Sequence, residues 1–173
     1  MKTAIDLKSF VRAVPDFPKP GILFRDITPL LACPEAFEEM VGIMAAEWDG
    51  KADMIAALDA RGFVFGAAMA MKMKLPLVLV RKKGKLPGKT IGVSYGLEYG
   101  KDSIEVSIDT LPKSGKALVV DDLLATGGTA KAACELLEKA GLEIAGCAFA
   151  IELSDLPGRK ALEGRNITSV LSY

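Results

Sequence analysis

The stretch ALVVDDLLATGGT, residues 117–129, decides the fold of this chain. Its first half is a run of apolar residues, which is typical of a strand covered on both faces of a sheet. Its second half opens a helix through two glycines, and that helix is predicted to end at Gly141. A buried strand that leads directly into a helix is half of a strand–helix–strand unit, so this stretch predicts a parallel sheet.

The same alternation continues on both sides of this stretch. Short apolar runs predict further buried strands at 53–59, 75–80, 143–153 and 167–173, and helical patterns cover 60–73 and 126–141. IEVSID, residues 104–109, alternates apolar and polar residues and predicts a half-exposed antiparallel strand. We therefore predict an α/β fold, an open and mostly parallel twisted sheet flanked by helices.

The N-terminal part has a different pattern. Leu7, Phe10, Val11 and Val14 follow helical spacing and predict a short amphipathic helix over 3–14. The next segment, 16–31, contains three prolines yet is too apolar for a linker, and a second helix is predicted to begin at Pro34. We expect a single domain, 1–173, in which about 1–33 form an N-terminal helix and a small hood.

Composition excludes several classes of function. The chain of 173 residues is 50% apolar, and its 22 basic residues balance its 22 acidic residues. Zero net charge argues against binding nucleic acid or an anionic membrane through bulk charge. The sequence contains no histidine, which excludes Ser-His-Asp and Cys-His catalysis and histidine-ligated metals. Acid–base chemistry must then come from carboxylates, lysine, tyrosine or the substrate.

The cysteines and the N-terminus indicate a location. Cys33, Cys134 and Cys147 are scattered and odd in number, so we expect neither a disulfide framework nor a zinc site, and a reducing compartment. No apolar run approaches the ~18–20 residues of a membrane span. Asp6 and Lys8 interrupt the segment where a signal peptide needs apolar residues. We predict a soluble, cytoplasmic protein.

Two adjacent carboxylates and a glycine-rich turn follow the deciding strand. Asp121 and Asp122 come at its carboxyl end. The turn that opens the helix comprises Ala125, Thr126, Gly127, Gly128 and Thr129. Backbone N–H groups at a helix N-terminus favour a phosphate dianion, and the carboxylates suit the vicinal hydroxyls of an attached ribose. The pattern predicts a ribose-5-phosphate clamp, and the alternative is a helix N-terminus with incidental glycine and threonine caps.

LDARGF, residues 58–63, ends the first buried strand with Asp59, Ala60 and Arg61. Gly62 permits a tight turn with exposed N–H groups, and the planar guanidinium of Arg61 suits a phosphate. Taken alone, this segment fits equally well a strand-ending turn whose arginine pairs with a surface carboxylate.

RKKGKLPG, residues 81–88, gathers four basic residues in five positions: Arg81, Lys82, Lys83 and Lys85. A charge run of this kind is usually a solvated face. Here it begins a stretch with glycines at 84, 88, 92, 96 and 100, which predicts a flexible lid loop over about 82–103. A lid would exclude water and supply cations to a departing anion.

These segments together resemble a known family. The stretch 117–129 resembles the phosphoribosyl-pyrophosphate signature of the type I phosphoribosyltransferases. Four other segments resemble those of the adenine-specific members in the same order: FPKPGILFRDITPLL (17–31), LDARGF (58–63), RKKGKLPGKT (81–90) and GLEYG (96–100). The resemblance runs from about residue 15 to about residue 153. The first motif identifies only the superfamily, whereas FRDITP, RKKGKLPG and LEYG point to adenine.

The resemblance implies roles for individual residues. Pyrophosphate would be held by Asp59, Ala60, Arg61, Arg81, Lys82 and Lys85. Arg61 would also be a catalytic residue and would reach a neighbouring subunit's site. Adenine would be bound by the side chains of Leu23 and Phe24 and the backbone of Arg25, unless residues 22–24 only cap the core. Glu98 would be the catalytic group that accepts or relays the proton lost from adenine N9, and the alternative is an exposed lid glutamate.

The resemblance also implies the reaction. A 5-phosphoribosyl group would pass from phosphoribosyl pyrophosphate to adenine, giving AMP and pyrophosphate for purine salvage. Mg²⁺ would arrive on substrate oxygens without a dedicated protein cage, and the working form would be a homodimer. Two alternatives stay open, a xanthine or hypoxanthine-guanine transferase and a non-catalytic regulator that senses phosphoribosyl pyrophosphate. Such a regulator should carry a nucleic-acid-binding module or a basic face, and neither is visible in this neutral sequence.

Overall fold

The structure is a computed structural model that describes residues 5–97 and 100–173. The chain divides into two compact units, Met1–Ile43 and Met44–Tyr173. The first unit extends further than the predicted N-terminal hood, and the interpretation of the chain as a single domain stays a prediction. Within the described residues, no helix is long and apolar enough to cross a bilayer.

The first unit does not begin with the predicted helix over 3–14. It has a four-residue 3₁₀ turn, Leu7–Phe10, followed by strand β1 (Arg12–Val14), which pairs antiparallel with β2 (Phe24–Asp26). The helix prediction is wrong because the backbone of β1 pairs with β2, and β-branched Val11 and Val14 favour extended backbone. Leu7 and Val11 are nevertheless buried, so their spacing reflects burial on one side rather than helical periodicity.

Two helices complete the N-terminal part of the chain. Helix α1 is Thr28–Ala32, with a proline in its first turn, and α2 is Pro34–Glu47. The predicted start of the second helix at Pro34 is confirmed, since a proline at the first position loses no hydrogen bond there. Helix α2 crosses the boundary between the two units.

The second unit is built on one seven-stranded sheet. Its strands are β3 (Met54–Leu58), β4 (Leu77–Lys82), β5 (Thr90–Leu97), β6 (Gly100–Ser107), β7 (Lys116–Leu124), β8 (Glu143–Glu152) and β9 (Ile167–Ser172). They lie in the order β5-β6-β4-β3-β7-β8-β9. Strands β4, β3, β7, β8 and β9 are parallel, whereas β6 is antiparallel to both β4 and β5.

Helices cover this sheet on both faces. Helix α3 (Gly62–Met73) approaches one face so closely that a Cβ on Gly66 would collide with Ala57 of β3. Alternate residues of β3, among them Ala56, pack into the core cluster that contains Leu136 of α4 (Gly128–Lys139). Because neighbouring strand residues point to opposite faces, α3 and α4 cover opposite sides. A short helix, α5 (Gly158–Ala161), precedes β9, and the predicted α/β class is confirmed.

The predicted lid loop is partly regular structure. Its second half forms the antiparallel hairpin of β5 and β6, whose register runs from Thr90 opposite Ser107 to Leu97 opposite Gly100. Among the described residues of the predicted lid, 83–89, between β4 and β5, consist of turns and irregular backbone. Of the glycines that suggested a loop, Gly84 and Gly88 lie in this segment, whereas the other three lie in the strands. At one of these, Gly92, a side chain would press on the carbonyl oxygen of Ile104.

Candidate active site

The predicted site residues of the second unit gather at one edge of the sheet. Strand β3 lies between β4 and β7. After β3 the chain forms β4, β5 and β6 on one side of it, and it then forms β7, β8 and β9 on the other side. Asp59 follows β3, and Arg81 and Lys82 end β4. The acidic pair lies near the carboxyl end of β7. Open sheets bind ligands beyond the carboxyl ends of their strands at such a switch point.

Asp122 is a buried carboxylate, with 4% of its surface exposed. Nε of Arg61 lies 2.9 Å from its Oδ2, yet that oxygen accepts no hydrogen bond from any described residue. Burial raises the pKa of Asp122, and the positive charge of Arg61 opposes that rise. A buried acceptor without a donor costs free energy unless a ligand or water supplies one, so Oδ2 is suited to receive a hydroxyl group.

Asp121 is half-buried beside its neighbour. Its Oδ1 accepts the backbone N–H of Asp122 at 2.9 Å. Burial, followed by the charge of Asp122, raises the pKa of Asp121 well above its ordinary value. A Cβ on Gly62 would lie 2.8 Å from the same Oδ1, so the glycine that was predicted to permit a tight turn also permits close approach of α3 to the acidic pair.

The glycine-rich turn joins β7 to α4. Gly127 has φ +80°, and a Cβ there would lie 2.7 Å from the carbonyl oxygen of Gly158 in α5. Helix α4 begins at Gly128, and its N-cap residue, Gly127, has no side chain that could cap the first N–H groups. Nothing lies within 4 Å of a Cβ built on Gly128. The first turn of α4 therefore combines uncapped N–H groups with open space, which suits an anion.

The threonines and alanine of this turn differ in exposure. Thr126 is exposed, whereas Ala125 and Thr129 are half-buried. Thr129 Oγ1 lies 3.2 Å from the hydroxyl of Tyr95 on β5, which also donates to Asp102 Oδ2 at 3.4 Å. These contacts connect the helix start to the β5–β6 hairpin.

A cavity of about 260 Å³ opens beside the turn, and its lining includes Asp59, Lys82, Tyr95, Asp102 and Thr129. Tyr95 and Asp102 were not predicted as site residues. Their signal in the sequence is alternation along the hairpin, which could be used only once that segment is recognised as strands.

The predicted pyrophosphate ligands are mostly ion-paired. Nε of Arg81 lies 3.1 Å from Asp59 Oδ2, and Nζ of Lys82 lies 3.3 Å from Asp102 Oδ2. A hydrogen bond from Ser103 N–H lowers the pKa of Asp102, and Lys82 contributes to the same shift. Since Arg61 pairs with Asp122, three of the predicted cations face a carboxylate of the chain itself. Such a cation can bind a ligand anion through its remaining N–H donors or by exchanging its partner.

The two other predicted pyrophosphate ligands, Lys85 and Ala60, lie next to residues of these ion pairs. The carbonyl oxygen of Lys85, an exposed residue, accepts a hydrogen bond from Nη1 of Arg81 at 3.1 Å. Ala60 follows Asp59, and the peptide bond that joins them is cis. Glu98 lies outside the described residues.

The predicted adenine ligands belong to the first unit. Leu23 is 49% exposed, and Phe24 packs edge-on against Phe17 with ring centroids 5.1 Å apart. Arg25 lies in β2 opposite Ala13. The structure thus places the three residues side by side at the start of β2, partly exposed.

Asp26 fixes the end of this segment. Its carboxylate accepts the backbone N–H and the hydroxyl of Thr28 and pairs with Arg12 at 2.6 Å. The hydrogen bonds from Thr28, with Arg12 contributing less, lower the pKa of Asp26. The carboxylate thereby joins β1, β2 and the start of α1.

Comparison with known proteins identifies the family. Residues 31–168 match the family model of the phosphoribosyl transferase domain. The adenine phosphoribosyltransferase of Francisella philomiragia subsp. philomiragia is 53% identical over 170 residues, which cover 96% of this chain and 97% of that protein. The adenine phosphoribosyltransferase structure from Thermoanaerobacter pseudethanolicus has a TM-score of 0.93 at 44% identity and covers 97% of this chain and 98% of its own.

A third relative was solved with ligands. The Saccharomyces cerevisiae adenine phosphoribosyltransferase, complexed with D-2,5-dideoxy-2,5-imino-altritol 1,6-bisphosphate and adenine, has a TM-score of 0.90 at 35% identity. The match covers 95% of this chain and 96% of that one. With the fold, the strand-end carboxylates and the uncapped turn already established, these likenesses show that the chain belongs to the phosphoribosyltransferase family, among its adenine phosphoribosyltransferases.

Proposed function

We propose that the protein transfers the 5-phosphoribosyl group of phosphoribosyl pyrophosphate to adenine, which yields AMP and pyrophosphate for purine salvage. The observation that carries this is the buried Oδ2 of Asp122, which pairs with Arg61 but accepts no hydrogen bond within the described residues. It lies on the strand that leads into the start of α4. One ligand that has vicinal hydroxyls and a phosphate can satisfy both. Relatives that act on adenine, one of them solved with a sugar-like bisphosphate and adenine, support the same substrates.

The 5-phosphate binds the turn from Ala125 to Thr129 in this proposal. The N–H groups of the turn and the first helical residues donate to its oxygens, and the hydroxyls of Thr126 and Thr129 add donors. Asp121 and Asp122 accept hydrogen bonds from the 2- and 3-hydroxyls of the ribose. Gly127 is needed because its positive φ and its contact with α5 leave no room for a side chain.

Pyrophosphate is bound by the strand ends and the basic segment. Arg81 and Lys82 exchange Asp59 and Asp102 for the diphosphate, while Lys85 and the backbone of Ala60 add donors. Arg61, which pairs with Asp122, would stabilise the negative charge that develops on the leaving group as the glycosidic bond breaks.

The oxygen donors at this edge fit Mg²⁺, which prefers carboxylate, phosphate and water oxygens. Within the described residues, no group of three or more carboxylates is placed to hold a metal ion. The ion would therefore be carried on oxygens of the pyrophosphate and ribose. When bound, it offsets the negative charge of the diphosphate.

Adenine is recognised by the backbone of Arg25 and the side chains of Leu23 and Phe24. A backbone C=O and N–H pair matches the N6 amine and N1 of adenine, whereas hypoxanthine reverses the polarity at position 6 and would leave polar groups unpaired. Glu98 accepts or relays the proton that N9 loses. In the absence of histidine, a carboxylate is the natural residue for this step.

Incubation with phosphoribosyl pyrophosphate, Mg²⁺ and each free nucleobase in turn tests the function. AMP from adenine, released with stoichiometric pyrophosphate, is the expected result. Formation of IMP or XMP without AMP would establish a related transferase, and the absence of any nucleotide would favour a non-catalytic sensor. Asp122→Asn is the matched variant, since it keeps the volume of the side chain and should slow AMP formation without unfolding the protein.

We also propose a cytoplasmic homodimer. The exposed apolar side chains Val64 and Met71 of α3 and Leu77 and Leu79 of β4 support an association surface. Cys33, Cys134 and Cys147 are free thiols, which suits a reducing compartment. Sedimentation at assay concentration tests the assembly, and a fully active monomer would contradict it.

A further inference from the structure

A buried carboxylate outside the proposed binding groups holds the segment between β4 and β5. Glu105 on β6 is only 7% exposed. Its Oε1 accepts the backbone N–H groups of Gly84 at 2.9 Å and Leu86 at 3.3 Å, and its Oε2 accepts the hydroxyl of Thr90 at 3.2 Å. We call residues 83–90 the basic turn, because they continue the cationic run of Arg81 and Lys82.

The position of Glu105 in the sheet explains how one side chain reaches all three donors. It lies opposite Arg81 on β4 and opposite Gly92 on β5. Gly92 has no side chain to fill the space beside it, and a cavity of about 240 Å³ there is lined in part by Glu105, Gly92 and Thr90. The carboxylate thus reaches the basic turn from β6, the strand between β4 and β5.

Two further bonds tie the basic turn to the same strands. The N–H of Lys83 donates to the carbonyl oxygen of Ser103, and Nη1 of Arg81 donates to the carbonyl oxygen of Lys85. Gly84 adopts φ +80°, a conformation that most side chains disfavour. The backbone is therefore held in one shape while the ammonium group of Lys85 is left at the surface.

We propose that Glu105 is a positioning residue for pyrophosphate: it holds the basic turn so that Arg81, Lys82 and Lys85 are pre-arranged around the leaving group. This inference rests on the proposed function, since it takes those cations as the pyrophosphate ligands. Without Glu105, the amide groups of the basic turn would be solvated. Each binding event would then have to order the turn, at a cost in conformational entropy. Glu105 touches no substrate and acts through the backbone of the turn.

The test compares Glu105→Ala with Glu105→Gln. Alanine leaves the Gly84 and Leu86 amides without an acceptor. Glutamine retains a carbonyl oxygen for both amides, and its amide group can donate to Thr90. Asp109→Ala is the control, because this exposed carboxylate bonds the same turn only at Lys89 N–H. Amide hydrogen exchange at Gly84 and Leu86 reports the turn directly, and KM and kcat report the reaction.

We expect Glu105→Ala to accelerate exchange at both amides by about tenfold or more and to raise the KM for phosphoribosyl pyrophosphate by about tenfold, with a smaller change in kcat. Glu105→Gln should restore both, and Asp109→Ala should change neither. If alanine prevents folding, Glu105→Asp, one methylene too short for the Gly84 amide, should shift exchange and KM in the same direction.

Unchanged exchange at both amides in Glu105→Ala or Glu105→Asp would overturn the inference. Faster exchange with an unchanged KM would overturn it too, since the turn would then be held for another purpose. Failure of the proposed function is distinguishable, because no AMP would form in the wild-type protein although the amides stayed protected.

Discussion

Gly128 offers a way to separate phosphate binding from folding. It is the first residue of α4, and a Cβ built there meets no atom within 4 Å. Gly128→Ala therefore adds a methyl group to open space. If the 5-phosphate occupies that space, the substitution should damage substrate binding while the folded protein accommodates it.

The effects of Gly128→Ala on stability and on substrate binding should have opposite signs. Alanine is favoured over glycine inside a helix by up to about 1 kcal/mol, and less is expected in a first turn, so Tm should stay constant or rise slightly. The methyl group should displace the phosphate from at least one N–H group. A hydrogen bond to a charged group contributes about 1.5–3 kcal/mol. The KM for phosphoribosyl pyrophosphate should then rise by about 10- to 100-fold.

Steady-state kinetics with varied phosphoribosyl pyrophosphate, run beside thermal denaturation, measures both quantities. Gly42→Ala is the matched control, because Gly42 lies within α2 and a Cβ there also meets no atom. It should raise Tm by at least as much as Gly128→Ala, since it lies inside its helix, and leave KM unaltered. A KM within about twofold of wild type for Gly128→Ala would refute the placement of the phosphate, because a single mispaired bond is already worth more.

The other predictions concern the carboxylates. Burial and Asp122 raise the pKa of Asp121 above its unfolded value, so ionised Asp121 destabilises the fold. Asp121→Asn should raise Tm near pH 8, a gain that shrinks as pH falls through the raised pKa toward the unfolded value of about 4, and Tm against pH checks this. Asp122→Asn should weaken kcat/KM by a factor equivalent to roughly 1–3 kcal/mol, and an unchanged kcat/KM with a large fall in Tm would make the residue structural. Glu98→Gln should lower the single-turnover rate by about 10²–10⁴-fold and should change KM less. A rate close to wild type would leave Glu98 as a lid residue.

The sheet and the phosphate turn could be predicted because their signals are local. Fully apolar runs such as 54–58 can be satisfied only by burial on both faces, and the turn at 125–129 combines glycines with a helix start. The prediction of an N-terminal helix was wrong because the pairing of β1 with β2 depends on residues outside the segment that suggested the helix. Helical spacing over four positions cannot compete with that pairing.

The ion pairs could not be predicted for a related reason. Arg81 and Asp59 are 22 positions apart, and they meet because parallel strands end at the same edge of the sheet. Glu105 reads in the sequence as a polar residue of an alternating strand, where the outward face is expected to carry charge. Its burial follows from the turn that covers it, and no pattern within β6 indicates that turn.

The carboxylate partners of the cations have a consequence for the end of the catalytic cycle. If Arg81 and Lys82 bind pyrophosphate as proposed, Asp59 and Asp102 would compete with it from tethered positions, at an effective concentration of at least about the millimolar order. Each carboxylate would return to its cation when an oxygen of the diphosphate moved away. Release of the product would then be assisted by the chain itself, and the charges of the emptied site would be balanced without counterions from solution.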